Sequence, residues 1–434
     1  MAPRRESFGL DHKVIQTLKL GRLTGVSRIP VVAGDSISFS TSMFVRMNNL
    51  RRAVPFDLRT DIYGFFVPYR FTYPTLYQAL QAGRDANAGE APHTNINNAG
   101  VQCLLMNNSA GASVPEHLLA DYVSIFNHYF RDPHDAEMVE SALNPAANAT
   151  DAQLVTARFG ALCGALKTMH TTALQAPGVT EGKIPITVED AASNQYSLDV
   201  SQLPRASAEW RDGQWREWTA VRYEELHKQY FGVESPASQN MRPYYLGCKK
   251  DWMSSTDIDG TAGDQFGSVV GKLVGSARFR IPRRFMREHG TLWVLMVVRP
   301  SPVFTYARQY LDNPSNFRDY KKLWSVPEAR KELPIDWTLE EAFWDGAANT
   351  RLGAIPFNQW YRAHPSYASS LLSEEDQGWE GRPSPTSGRS SGYVQNYDDV
   401  FATLRGGHGK FFALNRVMVN RIVGDVIESV VPRV

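Results

Sequence analysis

From Leu58 to Ile62, Arg59 and Asp61 alternate with Leu58, Thr60 and Ile62, and the run then turns apolar and aromatic through Tyr63, Phe65, Phe66 and Val67. Within the stretch from Asn49 to Tyr73, closed by Pro68 and Pro74, this pattern predicts a strand passing from a half-exposed to a buried position. Ile62, Phe65 and Val67 are its candidate core residues, and Arg51, Arg52 and Arg59 are left for neighbours or nucleic acid. Gly290 to Pro300 contains an unbroken apolar run and predicts a strand buried on both faces or central in a sheet. Ile29 onward reads as a strand, a Gly34-Asp35 turn and a second strand alternating Ile37, Phe39 and Thr41, continued by Met43 to Met47. Tyr244 to Cys248 predicts a short strand, Met253 to Gly267 a polar turn region, Val269 to Ile281 a strand weakened by Gly271 and Gly275, and Phe411 to Ile427 strand material interrupted at Gly424.

Helical spacing is clearest from Pro115 to Phe130, where Leu118, Leu119, Tyr122, Val123, Phe126, Tyr129 and Phe130 recur behind a Pro at the start. Shorter helices are predicted over Asp11 to Leu20, with Val14, Ile15 and Leu18 near one face, over Pro74 to Ala82, and from Thr219 to Phe231 with Gly232 as the stop. Gly83 to Gly111 and Glu374 to Gly392 read as long loops. Strands, then long insertions with short helices, then strands again point to an antiparallel β core whose loops have grown; parallel βαβ architecture lacks the close strand–helix alternation it needs. The chain is expected to be one domain over 1–434, with an N-terminal arm at 1–20 and insertion-rich regions at 83–203 and 312–392.

The 434 residues carry 43% hydrophobic and 21% charged side chains, the balance of a folded chain. Net charge is +1, which rules out a bulk polycation, but up to Pro55 nine Lys and Arg face three Asp and Glu, a local +6. A basic arm of that kind binds phosphate or is a solvated tail. Three distant cysteines, Cys103, Cys163 and Cys248, fit neither a disulfide framework nor a zinc site, and the N-terminus lacks the apolar stretch of a signal peptide. The longest apolar run, Leu292 to Val298, is too short to span a bilayer, so no membrane insertion is expected.

Phosphate-binding, dinucleotide, metalloprotease and nucleophile-elbow motifs are missing. Gly34-Asp35-Ser36 matches the nucleophile block of an esterase family over only three residues, and a turn is the favoured reading. Asp257, Asp259, Gly260 and Asp264 resemble part of a calcium loop without its bidentate Glu, so Asx-turn chemistry is favoured, and His289 reads as a polar turn residue. Neither a catalytic group, a metal site nor a cofactor is predicted. Tyr69-Arg70, Trp215-Arg216, Arg278-Phe279-Arg280 and Trp360-Tyr361-Arg362 pair arginine with aromatics, which suits protein interfaces more than base stacking.

Six blocks in order along the chain resemble the major capsid protein (F protein) of the phiX-type microviruses: GRLTGVSRIPVVAGDS (Gly21 to Ser36), LRRAVPFDLRTDIYGFFVPYR (Leu50 to Arg70), HLLADYVSIFNHYFRDP (His117 to Pro133), DIDGTAGDQFGSVVGKL (Asp257 to Leu273), EHGTLWVLMVVRP (Glu288 to Pro300) and QWYRAHPSYASSLL (Gln359 to Leu372). The resemblance fades over Gly83 to Gly111, Ser141 to Ser201, Asp312 to Gly353 and Ser373 to Gly392. It implies a mainly β fold, an eight-stranded antiparallel jelly roll of the viral capsid type with large loop insertions containing short helices. It also implies a structural, non-enzymatic subunit whose pentamers close into an icosahedral shell around a circular single-stranded DNA genome. Its implied partners are a spike protein, scaffolding proteins and a small basic DNA-packaging protein, with assembly in the host bacterial cytoplasm and residence in the virion. For genome contact the candidates are Arg4, Arg5, Arg51 and Arg52. A dedicated single-strand binder, and behind it a β-rich hydrolase using Ser36, are the competing readings.

Overall fold

Alternating apolar residues assemble nine strands into one antiparallel sheet: β1 (Arg5–Gly9), β2 (His12–Leu18), β3 (Thr24–Val31), β4 (Ser36–Met47), β5 (Leu58–Pro68), β6 (Tyr244–Asp259), β7 (Val269–Phe285), β8 (Gly290–Pro300) and β9 (Gly409–Ile422). They stand in the order β1-β9-β4-β7-β6-β5-β8-β3, with β2 also paired to β9. The computed structural model describes residues 5–50, 58–73, 93–95, 102–105, 113–131, 136–146, 148–164, 166, 242–259, 269–301, 303–305, 307–309, 312, 335–344, 351–355, 364–368, 380–381, 398, 401–402 and 406–422. The fold is mainly β, an antiparallel sheet curled into a half-barrel of the jelly-roll type.

Around β5 and β8 the sheet has two apolar faces to cover. Inside lies the main core, where Ile62 and Phe66 of β5 meet Phe39, Val45, Phe279, Ile281 and Val417. Along β8, Leu292, Val294, Met296 and Val298 enter that core, while Trp293, Leu295 and Val297 point the other way into a second core shared with Phe65, Val67 and Tyr122. Both faces of β8 are therefore buried, as its unbroken apolar run predicts. Burying one such Leu, Val or Phe is worth roughly 1.5–3 kcal/mol. At Gly64 an added Cβ would lie 2.8 Å from Ile281 Cδ1 and 3.2 Å from Phe279 Cζ, so the core closes directly on the β5 backbone.

The second core is capped by a helix. A single turn, α1 (Tyr69–Thr72), follows β5, and the long helix α2 (Glu116–Tyr129) begins after Pro115 and buries Leu118, Leu119, Tyr122, Val123, Ile125 and Phe126. Buried polar groups set its position. Asp121 accepts hydrogen bonds from Thr72 Oγ1 (2.6 Å) and Trp293 Nε1 (3.1 Å), which tie helix, turn and β8 together. Burial pushes its carboxyl up to about 6 against the pull of those bonds. Tyr122 donates to Leu23 O (2.6 Å) and accepts from Ala161 N (2.9 Å), fixing the end of helix α3 (Asp151–Phe159) against β3.

The structure corrects several expectations. Asp11 to Leu20 is not a helix: His12 to Leu18 form β2, paired from Asn415↔His12 to Gly409↔Leu18. Val14, Ile15 and Thr17 are β-branched, and a free edge of β9 outweighs the weak helical period of a ten-residue segment. Tyr244 to Cys248 continues to Asp259, so Met253 to Asp259 is strand rather than turn, carried by pairing with β7. β7 likewise runs on to Phe285. β9 begins at Gly409 and is strand to Ile422, and the rest of the stretch expected to reach Ile427 lies outside the described residues. Within the loop predicted over Gly83 to Gly111, His93–Asn95 pairs with Ser113–Pro115 just beyond it, and a turn buries Cys103 and Leu104. Arg59 is not left for a neighbour, since its Nε and Nη2 bind Asp61 at 2.7 and 2.8 Å. The helices expected over Pro74 to Ala82 and Thr219 to Phe231 lie outside the described residues.

A clip joins the chain's two ends. His408 is buried, its Nδ1 accepts the Leu20 N–H (3.1 Å), its Nε2 meets Asp398 Oδ1 (2.6 Å), and Lys19 Nζ reaches the same carboxylate at 2.9 Å. Burial pushes the ring down to about 4, opposed by Asp398, so the folded protein holds it neutral. The unfolded chain takes up the proton near pH 6.5. The neutral ring thus stabilises the fold fully above about pH 6.5, and that stability is lost as pH falls through about 4. Urea unfolding followed from pH 7 to 4 should show a falling midpoint, and H408Q should show a shallower fall than the parent. Equal slopes would remove His408 from the acid response.

Candidate nucleic-acid interface

Strand alternation that fills the half-barrel with Ile37, Phe39, Val45, Phe411 and Val417 turns the intervening residues of β4, β7 and β9 outward. These three strands contain nine Lys and Arg and no Asp or Glu. Across the outward face, Lys410, Phe412, Leu414 and Arg416 of β9 stand opposite Arg46, Phe44, Ser42 and Ser40 of β4. Ser42 and Ser40 in turn stand opposite Arg278 and Arg280 of β7. On the far side of β9, Lys13 and Ile15 of β2 face Leu414 and Phe412. Cross-strand pairing thus gathers charges from residues 13, 46, 278, 280, 410 and 416 onto one surface. Such a surface attracts a polyanion although the chain's net charge is only +1.

The four arginines proposed from the sequence fare unequally. Arg5 opens β1 at the rim of this surface, paired with Ile422, its guanidinium 5.4 Å from the centre of the Phe285 ring. Arg4, Arg51 and Arg52 lie outside the described residues. Three further cations of the basic N-terminal segment are engaged within the fold. Lys19 binds Asp398, Arg22 Nη1 donates to Thr156 Oγ1 and Gly160 O, and Arg28 Nη1 donates to Leu104 O while lying 5.9 Å from the Trp293 ring. Burial lowers the pKa of both Arg22 and Arg28.

Asp35 and Ser36 belong to a turn. Asp35 accepts from Val32 N (2.9 Å) and from Arg421 Nη2 (2.8 Å), which also reaches Pro30 O, while Ser36 begins β4 opposite Asn420 and Phe285. His289 accepts the Ala33 N–H through Nδ1 (3.2 Å), the turn role expected of it. Asp257 and Asp259 stand in β6, not in an Asx turn, and Gly260 and Asp264 lie outside the described residues. All three cysteines are free; Cys248 is exposed, and burial pushes the Cys103 and Cys163 thiols up to about 12. Of the four Arg–aromatic pairs, Arg278 and Arg280 point outward around a buried Phe279, and Arg70 is held by Glu288 (2.7 Å) and Tyr244 (3.0 Å). The pairs at Trp215 and Trp360 lie outside the described residues.

Comparison with known proteins converges on one family. A family profile described as "Capsid protein (F protein)" matches residues 2–192 and 168–381. The chain belongs to the phage capsid protein F family. Among its relatives, the capsid protein F of Enterobacteria phage phiK is 29% identical over 84% of this chain and 81% of its own length. That of Escherichia phage alpha3 is 29% identical over the same shares, and that of Escherichia phage G4 is 27% identical over 93% of this chain and 92% of its own. Membership in the capsid protein F family makes the chain a structural shell protein. Among the described residues no helix is long and apolar enough to cross a membrane.

Only fragments of the basic face show in the sequence, Lys13 and Arg46 within the basic N-terminal segment and the Arg278-Phe279-Arg280 triplet, because its charges are scattered over four segments. The signal that was available is the acid-free character of Ser36 to Met47, Val269 to Phe285 and Gly409 to Ile422, segments whose strand character was already legible.

Proposed function

We propose that this capsid protein is the major subunit of a closed icosahedral shell, built through pentamers around a circular single-stranded DNA genome, with the outward face of β9, β4 and β7 turned toward that genome. Family membership carries the reading; the gathering of Lys13, Arg46, Arg278, Arg280, Lys410 and Arg416 on one face supports the orientation. A spike protein, scaffolding proteins and a small basic DNA-packaging protein complete the particle, which assembles in the host bacterial cytoplasm. Delegating part of the genome's neutralisation to that basic partner fits a subunit whose own net charge is +1.

Production of the chain with its scaffolding partners should give pentameric intermediates or closed particles in electron micrographs. The charge reversal R278E/R280E/R416E should leave particle size unchanged and lower the nucleic acid recovered per particle. Recovery of a monomer alone from the parent chain would overturn the shell reading. Full genome content in the reversed variant would overturn the orientation.

A further inference from the structure

We infer that the outward face of β9 and β4 distinguishes single-stranded from duplex nucleic acid, through a cross-strand apolar row set between two basic rows. The inference rests on the reading that this face meets the genome. Ile15, Phe412 and Phe44 stand side by side on β2, β9 and β4, and they are 75%, 38% and 48% exposed. One rung along the sheet on one side, Lys410 pairs with Arg46. One rung along on the other, Lys13 and Arg278 flank the pairing of Leu414 with Ser42. Side chains two residues apart on one strand face are about 7 Å apart, so the aromatic row lies within reach of cations on both sides.

This arrangement matches what a single strand offers. Its phosphates need a cationic track and its unpaired bases need flat apolar partners, and stacking on aromatic rings is indifferent to sequence. A duplex presents phosphates to the same surface but keeps its base faces stacked inside, so the rings gain nothing from it. A second copy of this face is a poor occupant, because self-pairing would set lysines and arginines against one another across the contact. An acidic peptide satisfies the cations and leaves the rings without stacking partners.

The full-length purified chain can be titrated with a labelled 20-nucleotide oligo(dT) and with a duplex of the same length over a range of salt. The parent should bind the single strand more tightly. F44A/F412A should lose about tenfold or more in single-strand affinity, down to its duplex affinity, with the salt slope unchanged. F44Y/F412Y should keep the preference, which separates stacking from a folding defect. K410E/R278E should weaken both ligands and flatten the salt dependence. Equal parental affinity for the two ligands, a preference surviving in F44A/F412A, or competition by polyglutamate as effective as by oligo(dT) would overturn this inference and leave the genome-facing reading standing. Failure of the parent to bind either nucleic acid would overturn both.

Discussion

Alanine at position 160 should cost this protein about 4 kcal/mol or more, enough to remove most soluble, assembly-competent subunit. Gly160 ends α3 with φ +94, a backbone conformation that costs a non-glycine residue of order 1–3 kcal/mol. The larger effect is steric. A Cβ there would run into the Leu23 carbonyl oxygen and lie 2.5 Å from Tyr122 Oη. Those two atoms are partners in a buried hydrogen bond, and Tyr122 also receives the Ala161 N–H. Relieving the clash means opening that junction and leaving buried polar groups unsatisfied, at about 1–3 kcal/mol each. Gly406 supplies the control: its φ is also positive, at +74, yet among the described residues a Cβ there meets only Thr17 Cγ2, at 3.4 Å. G406A should therefore lose about 1 kcal/mol, the conformational cost alone. Denaturant midpoints of the two variants test the ranking, and a G160A as stable as G406A would show that the junction yields without cost.

Features with a strong local period were legible in the sequence. Strands β5 and β8 and helix α2 announce themselves because each buries a face, or both faces, over ten residues or more, and burial writes itself into the pattern. Ile62, Phe65 and Val67 are all buried as expected, although on opposite faces of the sheet: Ile62 in the main core, Phe65 and Val67 under α2. β2 was misread because a seven-residue strand on a sheet edge carries too few positions to separate a period of 2 from 3.6. The length of β6 and β7 was hidden by polar and glycine residues. Gly275 sits where a Cβ would press to 2.7 Å on Met253 Cγ, so the glycine that weakened the strand reading is what lets the two strands approach. The candidate interface was legible only in fragments, for another reason. Its cations come from segments hundreds of residues apart, and only the pairing order brings them together.

Replacing Asp61 by alanine should destabilise the fold by about 3–5 kcal/mol, because it strips the counter-charge from two largely buried guanidiniums. The alternation of Arg59 and Asp61 looks in sequence like the exposed face of a strand, yet Asp61 is fully buried and Arg59 and Arg299 retain 18% and 12% side-chain exposure. Register explains the arrangement. Arg59 of β5 stands directly opposite Arg299 of β8, a like-charge pair that is unfavourable unless an anion lies between them. Asp61 is that anion: Arg59 grips it with two nitrogens, Arg299 Nη2 binds its Oδ2, and Tyr63 Oη adds a contact at 3.3 Å. The network also reaches the segment that follows α3, since Arg299 Nη1 donates to Gly164 O at 3.0 Å. Loss of Asp61 therefore loosens the sheet and the hold of Arg299 on Gly164. Alanine leaves a cavity as well as a charge, so D61N, which keeps the shape, isolates the charge and should fall between the parent and D61A. Replacing all three charges together with apolar residues of similar volume should recover much of the loss, as expected when the penalty comes from stranded charge rather than from the missing pair. A D61A variant within 1 kcal/mol of the parent in urea unfolding would show that water reaches the two arginines and that the triad contributes little to holding β5 against β8.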